Sequence, residues 1–129
     1  MKLWSYEELK SSSDLVAICK FISSVDAPND GILPNSPTNW SVVGVTSVLE
    51  VRAVLKGDMN LKNILLHHYR MQNADETLDN GPTFVKFDPK AKGCFLLFVK
   101  KENDGRYSPT SGQIDPALFS VIKLDSLAK

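Results

Sequence analysis

Val43, Val45, Leu49, Val51, Ala53 and Leu55 take odd positions in residues 41–56, SVVGVTSVLEVRAVLK, and Thr46, Glu50, Arg52 and Lys56 take even ones. A period of two puts one face of an extended strand on a core and the other in water. A strand of this length suits a strongly curved sheet or small barrel. Its bend needs a bulge or a small residue, and Gly44 or Ser47 could supply it. Gly57-Asp58 ends the run.

Residues 15–24, LVAICKFISS, and 94–100, CFLLFVK, are apolar at almost every position. That pattern predicts strands covered on both faces. Residues 62–70, KNILLHHYR, and 83–87, TFVKF, predict two more. Residues 120–124, SVIKL, alternate weakly and fit either a closing strand or a helix end. Asp104-Gly105 is a hairpin signal after the strand at 94–100. Upstream, Ser5-Tyr6-Glu7-Glu8 forms a capping box that predicts a short helix over about 6–12. Asp115-Pro116 suits the start of a single helical turn.

Between these elements lie polar, proline- and glycine-rich stretches at 26–40, 71–82 and 88–93. No run has the length and pattern of a crossover helix, so the sheet should be mostly antiparallel. The tally predicts a mainly β domain over 1–129, a five- to six-stranded antiparallel Greek-key barrel of the OB type with a short N-terminal helix. The expected core is Leu15, Ala17, Cys19, Phe21, Val43, Val45, Leu49, Val51, Ala53, Leu55, Ile64, Leu66, Phe84, Leu96 and Phe98.

Composition narrows the partners. Fifteen basic residues balance fifteen acidic ones, which argues against nucleic acid or an anionic membrane as the main partner. No apolar run approaches the ~20 residues needed to span a bilayer. The start, MKLWSYEELK, has no apolar signal core; either the chain is cytosolic or Met1 follows a removed signal. Cys19 and Cys94, the two cysteines, read either as buried thiols or as one disulfide between neighbouring strands, which needs an oxidising compartment.

Three strings together carry a family likeness: DLVAICKFI from Asp14, LEVRAVLKGD from Leu49 and CFLLFVKKENDGRY from Cys94. They resemble the netrin-like domain, found in tissue inhibitors of metalloproteinases and in bacterial secreted proteins. The likeness covers residues 14–107, and SGQIDP from Ser111 is similar to the end of the bacterial members. It implies an OB-like barrel, a periplasmic or extracellular location, and binding rather than catalysis. The inhibitors' zinc-chelating N-terminal cysteine has no counterpart, because residues 1–13 contain no cysteine.

Candidate chemistry is sparse. His67 and His68 are adjacent, so on a strand they face opposite ways and do not readily grip one metal. The expected arrangement is one imidazole partly buried beside Leu66 and the other on the surface. Ser108, Thr110, Ser111 and Gln113 form a hydroxyl- and amide-rich stretch that reads as a turn bonding its own backbone, or as a pocket lining. Ile32, Leu33 and Trp40 sit in the long loop 26–40, where an apolar tip with an aromatic could anchor a protein partner. The alternative is that Trp40 caps the barrel as core. Arg52, Lys56, Lys86, Lys90, Lys92, Lys100, Lys101 and Arg106, grouped with Tyr69 and Phe87, would support single-stranded nucleic acid binding. The interspersed Glu50, Asp58, Asp88, Glu102 and Asp104 favour an ordinary mixed surface. The expectation is a non-catalytic protein-binding module that uses Ile32, Leu33 and Trp40 and no cofactor or metal. The rivals are an OB-type nucleic-acid binder and a His-dependent enzyme.

Overall fold

The computed structural model describes residues 4–27, 42–71, 85, 87, 93–113 and 120–124. Helix α1 (Tyr6–Ser12) precedes strands β1 (Leu15–Ala27), β2 (Val42–Lys56), β3 (Asn63–Met71), β4 (Cys94–Lys101), β5 (Tyr107–Pro109) and β6 (Val121–Leu124). Strands pair in the ring β1-β2-β3-β5-β4-β1, and β6 adds to the far end of β4. This is a closed five-stranded barrel.

The barrel is mixed rather than wholly antiparallel. β3 and β5 run parallel at Leu66–Tyr107, whereas every other pairing is antiparallel. Parity requires it: directions cannot alternate all the way around a ring of five. The expected hairpin joins β4 to β5, with Gly105 at φ 91° and Glu102 N–H donating to the Arg106 carbonyl at 2.7 Å.

β2 bends where its register with β1 slips. Val16 pairs with Lys56 but Ala17 with Val54; Ile18 pairs with Ala53 but Cys19 with Val51. Leu55 and Arg52 are therefore extra residues on β2, and Ile22 is the extra one on β1, between Phe21–Leu49 and Ser23–Val48. Each slip moves the following side chains to the other face. Leu49 lies in the core and Val51 and Val54 pack against it, while Ala53 and Leu55 are exposed, correcting their place in the expected core. The bulges fall at neither Gly44 nor Ser47.

Two apolar clusters explain why β1 and β4 read as two-faced. Leu15, Ala17, Cys19, Leu49, Ile64, Leu66, Leu97 and Val99 form the main core. The opposite faces of β1 and β4 supply Val16 and Phe98 to a second cluster, covered by Leu9 of α1 and flanked by Trp4 and Leu96. Leu97, not Leu96, belongs to the main core. Phe21 and Val43 are half-buried, and Phe84 lies outside the described residues. So does most of the expected strand 83–87; its described members, Val85 and Phe87, are not in a strand. Asp115 and Pro116 also lie outside the described residues.

The capping box holds α1: Glu8 N–H donates to Ser5 Oγ at 3.1 Å and Ser5 N–H to Glu8 Oε1 at 3.2 Å. At the other end Lys56 Nζ donates to the Lys10 carbonyl at 2.8 Å. Buried Ser13 bonds both the Leu9 carbonyl (2.6 Å) and Thr110 Oγ1 (2.7 Å). The helix is thus tied to β2 and to the chain just after β5. Burying Leu9 contributes roughly 1.5–3 kcal/mol. Among the described residues, no helix is long and apolar enough to cross a membrane.

Candidate binding face and the two buried histidines

β3 alternates strictly. Ile64 and Leu66 belong to the main core, and His68 shares their face by the two-residue period. Leu65, His67 and Tyr69 take the outer face. Both histidines are nonetheless buried, at 8% and 4% exposure. Neither is the surface residue expected from their adjacency, because a second layer covers the outer one.

His68 is fixed at both ring nitrogens. Nδ1 lies 2.9 Å from the Val85 carbonyl, which can only accept, so Nδ1 carries the proton. Nε2 then accepts from Ser47 Oγ at 2.6 Å, and Ser47 Oγ lies 2.6 Å from Ser24 Oγ. The ring stands edge-on to Phe87 at 5.8 Å. Burial pushes the His68 pKa down to about 4; the Val85 carbonyl opposes that shift and nearby His67 adds to it. The imidazole is neutral at neutral pH.

His67 meets the β4–β5 turn. Its Nδ1 lies 2.9 and 3.0 Å from the two Glu102 oxygens, and its ring lies 4.9 Å from that of Tyr69. Arg106 donates to Asp104 at 2.9 Å and reaches across to Thr46 Oγ1 at 3.0 Å. Gln113 Nε2 donates to the His67 carbonyl at 2.8 Å. This network fastens the turn onto β2 and β3.

The hydroxyl- and amide-rich stretch is a set of long-range ties as well as a turn. Thr110 meets Ser13, Ser111 N–H and Oγ meet Ser120 Oγ (2.8 and 2.6 Å), and Gln113 meets His67. Among the described residues no three His, Cys, Asp or Glu side chains are grouped to hold a metal ion.

Cys19 and Cys94 are free thiols, so the disulfide alternative is not formed. Cys19 is opposite Phe95 and shares its core face, which leaves Cys94, one residue earlier on β4, on the other face. Burial, with a contribution from Cys94, pushes the Cys19 thiol up to about 12. Ile32, Leu33 and Trp40 lie outside the described residues, as do Lys86, Lys90 and Lys92. Among the other cations, Arg52 pairs with Glu50 and Arg106 with Asp104, while Lys56 caps α1. Tyr69 is buried, and Phe87 stacks on Phe21 at 5.0 Å and meets Phe95 edge-on.

Sequence reasoning missed the outer face of β1–β2–β3. Register aligns Val25, Thr46 and His67 in one row and Ser23, Val48 and Leu65 in the next. Val25 is 65% exposed, Leu65 43% and bulged Ile22 51%, with Val48 half-buried between the strands. The signal was present at Ile64-Leu65-Leu66: three consecutive apolar residues on an alternating strand must leave one outside. This patch lies at the end of the barrel where β1 finishes at Ala27 and β2 starts at Val42. A separate open groove of 730 Å³, lined by residues 50–54 and 59–62, lies further along β2. No protein-family model, curated protein or solved structure matches this chain.

Proposed function

We propose that the chain is a non-catalytic protein-binding module of an exported protein, an OB-like barrel of the netrin-like kind. Its partner engages the end of the barrel where β1 finishes at Ala27 and β2 starts at Val42. The exposed apolar face of Val25, Val48 and Leu65 carries this reading, since contiguous apolar surface rimmed by charge marks a docking site. The rim here is Glu102, Asp104 and Arg106 of the neighbouring turn. Ile32, Leu33 and Trp40, in the segment between these two strands, are the further anchors proposed from the sequence.

A photo-crosslinking residue placed at Leu65 in the native host tests the proposal, with the same probe at exposed Leu55, which sits on the bulged stretch of β2, as control. A discrete protein adduct at Leu65, absent at Leu55, is the expected result. Equal labelling at both positions, or none at Leu65, overturns it.

A second reading, a His-dependent enzyme, draws on the Glu102 carboxylate beside His67 Nδ1, the way an orienting acid holds a general base. The 8% exposure of His67 weighs against substrate access. Turnover of chromogenic esters that disappears in His67→Gln would favour this reading over the first.

A further inference from the structure

Among the described residues, two of the stretches of strand edge without a partner lie on β2 and β1, and they differ in how they are guarded. Beyond Val51, whose N–H donates to the Lys62 carbonyl at 2.8 Å, β2 has no partner on its β3 side. Residues 52–56 of that edge contain both β2 bulges and the cations Arg52 and Lys56. Bulges and cations are the usual devices that block strand addition.

The other edge belongs to β1. Its pairing with β4 ends at Cys19–Phe95. From Ser23 to Ala27 it pairs with Val48 to Gly44 in unbroken register, with no bulge, lysine or proline. Its single charge, Asp26, is neutralised within the chain: Arg70 donates from Nε at 3.0 Å and from a terminal nitrogen at 2.6 Å. A strand brought alongside therefore meets no uncompensated charge, which is what self-pairing about a two-fold axis requires.

We propose that a second copy of this chain pairs antiparallel with residues 23–27, joining two barrels through a continuous β1–β1 sheet. Centred on Val25, the pairing sets Val25 against its own counterpart and Ser24 against Asp26 of the other copy. The dimer uses backbone at the strand edge and Val25, whereas the proposed docking face extends to Leu65, so the two ideas can fail separately.

Sedimentation velocity of the purified chain over a wide concentration range is the test. A monomer–dimer equilibrium is expected. Val25→Lys, on a side chain already 65% exposed, should weaken it by about tenfold or more, with an unchanged thermal midpoint at dilutions where both chains are monomeric. Leu65→Lys should leave it intact. In a Cys94→Ser background, Val25→Cys should form a covalent dimer on mild oxidation, since directly opposed Cα atoms ~4.5–5.5 Å apart lie within disulfide range. A wild-type chain that stays monomeric to its solubility limit overturns the proposal. So does a dimer indifferent to Val25→Lys that fails to crosslink.

Discussion

Ser47 Oγ sits 2.6 Å from Nε2 of His68, and both side chains are sealed in the barrel wall. A β-strand serine and a histidine on the neighbouring strand thus satisfy each other where solvent cannot reach. With Val85 and Ser24 they form a continuous polar thread through an apolar wall.

Acid should loosen this thread. The His68 pKa is about 4 in the folded chain against 6.5 for an ordinary histidine. Above pH 6.5 both folded and unfolded chains hold it neutral. As pH falls from 6.5 to 4 only the unfolded chain gains the proton, so stability is lost, by about 3 kcal/mol in total. Urea midpoints for wild type and His68→Phe, compared between pH 7 and 4.5, read this out. The wild-type midpoint should fall more steeply; parallel slopes would show that His68 contributes nothing to the acid response.

Glu102 should matter for stability. Removing it in Glu102→Ala leaves the His67 Nδ1 position without its carboxylate and releases the β4–β5 turn from β3. The expected cost is about 1–3 kcal/mol, with Glu102→Gln costing less because an acceptor oxygen remains. Chemical denaturation measures both, and equal stability of all three chains would contradict the fastening role.

Cys19 should be chemically silent in the folded state. Its thiol is fully buried and its pKa is about 12, so almost no thiolate exists at pH 8. In Cys94→Ser, thiol-reactive dye should label the chain only after denaturant is added. Rapid native labelling would mean that β1 opens locally.

Gly57 closes the turn after β2 at φ +113°, and a Cβ there would lie 2.9 Å from the Asp14 carbonyl oxygen. Both conditions exclude an ordinary side chain. Gly57→Ala is expected to cost about 1–3 kcal/mol. A calorimetric midpoint unchanged from wild type would show that the turn relaxes freely.

Local features of this chain were legible because their causes are local. The Ser5–Glu8 box, the Asp104-Gly105 hairpin and the apolar strands β1 and β4 are each set by residues a few positions apart. The phase slips at Arg52 and Leu55 were not legible, since they are defined by which β1 residues they face. Reading the alternation straight through therefore put Ala53 and Leu55 on the wrong side. The burial of His67 depends on Glu102 and Gln113, 35 and 46 residues away, and no spacing within KNILLHHYR reveals that cover. The parallel β3–β5 contact follows from ring parity, and it becomes apparent only once five strands are known to close.

The fate of the His68 proton is the sharpest point of contact with experiment, because it reports at once on barrel closure and on that ring being a wall fitting rather than a reacting group. Long-range nitrogen–proton NMR of the imidazole rings should give His68 as the neutral Nδ1–H form, unchanged from pH 8 to 5. A ring that titrates near 6.5, or that carries its proton on Nε2, would contradict the sealed Ser47–His68–Val85 arrangement.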